Sequence, residues 1–206
     1  MLTNTGNTIY TGLGVSAQPV DQPYRWVKSL TSIISYTIGC YVFSRIQRLC
    51  GPLRRGTLSG SFAAQSLLCF IPAILEQTEV VPDDAGFIIP DNLIVLLPLS
   101  MLAFQAGGQT VMSRVLGFNE IPTVVLTSTY CDLAFDPPLL TAAPSENVKR
   151  NRRVVAVIMM FLGATAGGFL TKGGALANAL WISGALKGFL ALLWLFWSGK
   201  GAVRLD

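Results

Sequence analysis

Residues 149–170 read KRNRRVVAVIMMFLGATAGGFL. Four cations, Lys149, Arg150, Arg152 and Arg153, stop abruptly, and Val154–Leu170 follows with no charge. A helix needs about 20 residues, in a range of about 17–25, to cross a hydrocarbon core of about 30 Å. Val154–Leu170 meets that length, and so do Trp26–Phe43, Leu58–Leu75, Leu93–Met112 and Ala175–Trp197. Pro72 and Pro98 fall inside two of them, where neighbouring helices or hydroxyls can satisfy the freed carbonyls. Trp26 and Trp197 stand at segment ends, the interfacial position that amphipathic rings favour. The reading is an all-α polytopic membrane protein with about five transmembrane helices.

The joins between these segments alternate in charge. Arg45, Arg48, Arg54 and Arg55 are basic; Glu76, Glu79, Asp83, Asp84 and Asp91 are acidic; Lys149–Arg153 is basic again. Cytoplasmic loops are enriched in Lys and Arg, so the basic joins are expected in the cytoplasm. One further apolar stretch, Thr123–Phe135, lies between Pro122 and Pro137-Pro138. As a helix of 13 residues it would reach only about 20 Å, too short to cross. If it dips in and returns, both basic clusters and the C-terminus with Lys200 and Arg204 are cytoplasmic; if it crossed, Lys149–Arg153 would lie outside. The expectation is therefore a re-entrant half-helix. Irregular backbone at that depth survives only where it is buried in protein or lines a wet cavity, which makes it a site candidate. A tilted interfacial segment is the alternative.

Composition supports the placement and excludes several function classes. Of 206 residues, 51% are hydrophobic and 13% charged, against about a quarter charged in ordinary globular domains. Histidine is absent, which removes histidine acid–base chemistry, histidine triads and imidazole metal sites. The net charge of +4 forms no basic stripe, so no nucleic-acid partner is expected. Cys40, Cys50, Cys69 and Cys131 contain no C-x-x-C pair and read as small buried hydrophobes. No metal and no cofactor is implied. Met1–Tyr10 has neither a basic nor an apolar signal-peptide region, so the segment at Trp26 is expected to act as an uncleaved insertion signal.

A weak internal repeat organises the chain. Thr5-Gly-Asn-Thr-Ile-Tyr-Thr-Gly12 is echoed by Thr127-Ser-Thr-Tyr-Cys-Asp-Leu-Ala134, and two apolar segments follow each. The two elements would enter from opposite sides, giving an inverted repeat with short re-entrant half-helices, a recurrent transporter plan. Its halves run over about residues 1–78 and 88–200 of a single domain spanning residues 1–206.

Thr5-Gly6-Asn7, Gly107-Gly108-Gln109 and Thr127-Ser128-Thr129, in this order, resemble the YoaK-like family of membrane proteins, grouped as domain of unknown function 1275. The likeness covers nearly the whole chain, and Ser113–Leu126 resembles fungal members most closely. The resemblance implies about six membrane segments, with one before the Thr-Gly-Asn motif. Met1 comes too late to include it, so the first repeat is expected to be incomplete at its N-terminus. Thr110 stands where Asn commonly follows the Gln, and Ser128 where Gly is usual.

Few residues can carry chemistry. Asp132 is the one carboxylate read inside an apolar stretch, beside Thr127, Thr129 and Tyr130; it binds a cation or carries a proton there, or is solvated at the interface. Lys187 lies mid-segment, beyond what snorkelling covers, and an Asp132–Lys187 pair is expected; a shifted helix placing the amine at a headgroup is the alternative. Gln65, Gln105 and Gln109 put amides at membrane depth. Gln109 is the better substrate contact, since Gly107-Gly108 admits close approach, while an interhelical hydrogen bond of about 0.6 kcal/mol is the structural reading. Gly163-x-x-x-Gly167 and Gly184-x-x-x-Gly188 are packing faces, within the chain or in a homo-oligomer. Gly12-Leu13-Gly14 follows no strand and carries no dinucleotide fingerprint. Ser183 and Lys187 share a helix face without identifiable oxyanion donors, and no catalytic residues are expected.

The expected function is passage of a small solute across the lipid bilayer. The expected substrate-binding set is Thr5, Gly6, Asn7, Gln109, Thr127, Thr129, Asp132 and Lys187, where the two repeated elements approach each other. A non-transporting scaffold for a membrane complex is the rival.

Overall fold

The computed structural model describes residues 4–20, 24–81, 93–119, 121, 126–139, 141–143, 145–172 and 176–196. Among these are seven α-helices and no strand. They are α1 (Asn4–Val15), α2 (Arg25–Cys50), α3 (Arg55–Gln77), α4 (Leu96–Val115), α5 (Thr127–Ala134), α6 (Val148–Leu170) and α7 (Leu176–Phe196), with a 3-10 turn at Leu93–Val95 leading into α4.

Three helices, α3, α6 and α7, are long and apolar enough to cross a membrane. The other two expected crossings, α2 and α4, have sufficient length at 26 and 20 residues. They fall short in apolarity because each carries several polar side chains. Many of those turn inward: Ser29, Ser32 and Gln47 of α2 are buried. Pro98 sits in the first turn of α4, where a backbone N–H has no partner within the helix. Pro72 lies buried inside α3, which continues through it.

Chain direction follows from which residues face each other. In α3 and α7, Ser59 donates to the Ala191 carbonyl at 2.8 Å and Ser66 to that of Gly184 at 2.7 Å. Further along, Trp181 Nε1 donates to Gln77 Oε1 at 3.1 Å. Numbers rise on one helix as they fall on the other, so the pair is antiparallel. Gly39 of α2 meets Phe104 of α4, Phe43 meets Gly108, and Gln47 Nε2 reaches Met112 Sδ at 2.9 Å. Here the numbers rise together, and α2 runs parallel to α4. The close approach expected of Gly107-Gly108 is realised against α2. A Cβ on Gly107 would stand 2.8 Å from the Cys40 nitrogen, and one on Gly108 2.7 Å from the Phe43 ring.

These directions put the ends of α2, α4 and α7 and the start of α3 at one end of the bundle. The start of α6 joins them, because Arg152 lies 4.9 Å from the ring centroid of Phe118, just past α4. α4 therefore ends, and α6 begins, at the same end, with α5 beside the start of α6. Arg45, Arg48, Arg54, Arg55, Arg114 and the α6 cations gather there, while Glu76 and Glu79 lie at the other. Asp83, Asp84, Asp91, Lys200 and Arg204 are outside the described residues.

Two boundaries and the exposure of two cysteines depart from expectation. The second basic cluster is not a join: α6 starts at Val148, so Lys149–Arg153 occupy its first two turns. Cations oppose the helix dipole there, and local partners offset this. Asn147 caps the helix by accepting from the Arg150 backbone N–H at 3.0 Å. The Arg150 guanidinium donates to the Leu139 and Ala142 carbonyls, each at 2.9 Å. The short element spans eight residues, Thr127–Ala134; residues 123–125 of the expected stretch are outside the described set. Cys50 and Cys131 are exposed rather than buried, because they end α2 and sit on the thinly covered α5.

Candidate functional site

α3, α4 and α7 each contribute one polar side chain to a common point. Lys187 stands nine residues from the end of α7 at Phe196, about 14 Å along the axis. Its amine donates to Gln109 Oε1 of α4 at 2.8 Å and to Gln65 Oε1 of α3 at 3.0 Å. Gln65 is wholly buried, at 0% exposure. Ser66, the next residue along α3, ties α3 to α7 through its bond to Gly184. Gly184 and Gly188 bring the helices close enough for the amine to reach: a Cβ on Gly188 would lie 3.2 Å from Ser66 Oγ. The Phe70 and Trp181 rings, with centroids 5.3 Å apart, close the same interface toward the acidic end.

An ammonium in mid-bilayer is disfavoured by about 2.5–3.5 kcal/mol on insertion scales. The two amide oxygens offset part of this, but they are neutral and leave the charge in place. Gln65 Nε2 and Gln105 Oε1 are buried without a hydrogen-bond partner among the described residues. Gln105 lies one turn before Gln109 on the same face of α4.

The expected Asp132–Lys187 pair does not form. Asp132 accepts instead from Arg153 Nη2 at 3.3 Å, with 55% of its side chain exposed. α5 lies at the basic end, whereas Lys187 is in the middle of α7. Among the described residues the buried carboxylate is Glu76, in the last turn of α3, a residue the sequence placed in a join. Ser183 donates to the Ala179 carbonyl of its own helix at 2.8 Å, while the Lys187 amine turns to the two amides.

The remaining expected residues separate into two places. Asn7 is buried, and its Nδ2 donates to Ser32 Oγ of α2 at 3.1 Å. Thr5 is exposed and Gly6 half-buried on the same helix. On α5, Thr129 is buried and Thr127 exposed. Among the described residues α1 packs on α2 and α5 on α6, and no contact joins α1 to α5. The two repeated elements thus do not meet, and of the expected set only Gln109 and Lys187 come together. Gln65 completes their cluster. Its amide at membrane depth was the available signal, but helix periodicity alone does not show which amide faces which amine.

The Gly184-x-x-x-Gly188 face is occupied by α3 of the same chain. Gly163 and Gly167 of α6 have open space around them.

A family model described as "Protein of unknown function (DUF1275)" matches residues 3–193. Neither a curated protein nor a solved structure matches the chain.

Proposed function

The chain belongs to the DUF1275 family, and we propose that it passes a small polar solute across a membrane by way of the Lys187–Gln65–Gln109 cluster. One observation carries this reading: a lysine amine is held by amides of two other helices deep in an apolar bundle. Ionisable groups at that depth mark solute pathways more often than they mark structure. Five helices, α2, α3, α4, α6 and α7, form the crossings in this reading, and the basic end faces the cytoplasm. Thr127, Thr129 and Asp132 then stand at the cytoplasmic mouth, and Thr5, Gly6 and Asn7 at the opposite one. The inverted repeat and the YoaK-like, fungal-type likeness are consistent with such a plan.

Reconstituted vesicles test it. Solute uptake across a panel of small polar compounds is expected with the wild-type protein, and Lys187→Gln is expected to reduce it at least tenfold. Uptake that is absent throughout, or equal in the variant, removes the reading.

A second reading rests on α6, none of whose residues is buried. With Gly163 and Gly167 open, α6 offers a small-residue face of the kind that packs membrane helices together. A scaffold or homo-oligomer built on that face would run as a larger species in detergent. Gly163→Leu and Gly167→Leu would return it to the monomer.

A further inference from the structure

The cluster's spare capacity consists mainly of donors surrounding an unbalanced positive charge. An ammonium carries three N–H donors; Lys187 uses two, on Gln65 and Gln109. Directing Gln65 Oε1 at the amine turns its Nε2 elsewhere, and that nitrogen is buried without a partner among the described residues. No carboxylate among the described residues bonds to the amine: Asp132 is held by Arg153, and both bonds from Lys187 end on amide oxygens. Gln105 adds an unpartnered oxygen one turn away, but a neutral amide cannot balance a cation. Lys187 is not sealed in; it keeps part of its surface open.

We propose that Lys187, Gln65 and Gln109 bind a small monovalent anion, a halide or a short carboxylate, which supplies the counter-charge that the protein omits. The anion takes the third N–H of Lys187 and an N–H of Gln65 Nε2. A larger or multiply charged anion is disfavoured, since one lysine supplies the only charge of the cluster and Gly184 and Gly188 hold α7 tightly on α3. A phospholipid headgroup does not compete, because Lys187 lies about 14 Å from the nearer end of α7. The proposal rests on the site assigned under the proposed function, yet it concerns occupancy rather than movement.

Binding is therefore read separately from uptake. The purified full chain in detergent is heated in potassium chloride, potassium acetate or potassium gluconate at equal ionic strength. Chloride or acetate is expected to raise the unfolding temperature by several degrees over gluconate. Lys187→Gln is expected to abolish that increment, Lys187→Arg to retain part of it, and Gln65→Leu to weaken the half-saturating concentration at least tenfold. In gluconate, Lys187→Gln is expected to unfold no earlier than the wild type, which shows that the variant folds. An equal anion increment in wild type and Lys187→Gln, or none in either, overturns the proposal. Anion stabilisation that depends on Lys187 without any uptake in vesicles upholds the site and removes only the transport reading.

Discussion

α2 and α6 occupy corresponding places in the proposed repeat, and they are solvated in opposite ways. α2 is the more polar; α1 and α4 cover it, and its Ser29, Ser32, Gly39 and Gln47 are buried. α6 is apolar enough to cross a membrane, and none of its residues is buried. In water the more apolar helix would be the one driven inside. In a bilayer lipid solvates apolar side chains, and helices are held together by polar bonds and small residues. The contrast shows which solvent this chain was built for.

An all-or-none labelling result would break the comparison most directly. Cys50 ends α2 and Cys131 lies on α5, beside the start of α6; both are exposed free thiols. A thiol reagent that does not cross membranes is expected to modify both from the same face of sealed vesicles. Modification from opposite faces would separate the starts and ends that the fold brings together.

Glycine replacements probe the packing itself. Gly39 lies against the Phe104 backbone, so Gly39→Leu is expected to destabilise the protein by about 3 kcal/mol. Gly163 has open space, and Gly163→Leu is expected to change stability by less than about 0.5 kcal/mol. Denaturation in detergent compares the two. Similar losses would mean that α6 is covered in the native protein and that the contrast with α2 fails.

The α3–α7 bonds give a smaller effect. Ser66→Ala removes the bond to the Gly184 carbonyl and is expected to lower stability by about 0.6 kcal/mol, the usual value for a hydrogen bond between membrane helices. A loss of several kcal/mol would mean that Ser66 holds more of the lysine cluster than one helix contact. A similarly small change is expected at Asp132→Asn. Its side chain is 55% exposed beside Arg153, and an ion pair open to water on one side contributes about 0–1 kcal/mol. A larger loss, measured by the same denaturation, would place α5 deeper in the protein than its exposure indicates.

The legible and illegible parts of the site divide by the range of the signal. Lys187 stood out because one cation interrupts an apolar segment, a fact visible within a single helix. Gly107 and Gly108 announced a close approach for the same reason, and α2 takes it. Asp132 was legible only as two alternatives, a site carboxylate or one solvated at the interface, because the length of α5, eight residues, and its place at the bundle's edge are not local signals. Glu76 misled, since α3 continues to Gln77 and draws a residue of the join into its last turn.

By itself the sequence determined the solvent, the helical class and the gathering of the basic residues, because apolar run length and flanking charge act locally along the chain. Tertiary structure alone decided that Lys187 answers to Gln65 and Gln109 rather than to Asp132, and that Gly184 rather than Gly163 lies in a packed interface. Those outcomes depend on the direction and register of one helix against another. Helix α3 packs on α7 at the level of its amine, and α4, packed on α3, brings Gln109 within reach, whereas α5 stays at the basic end, out of reach.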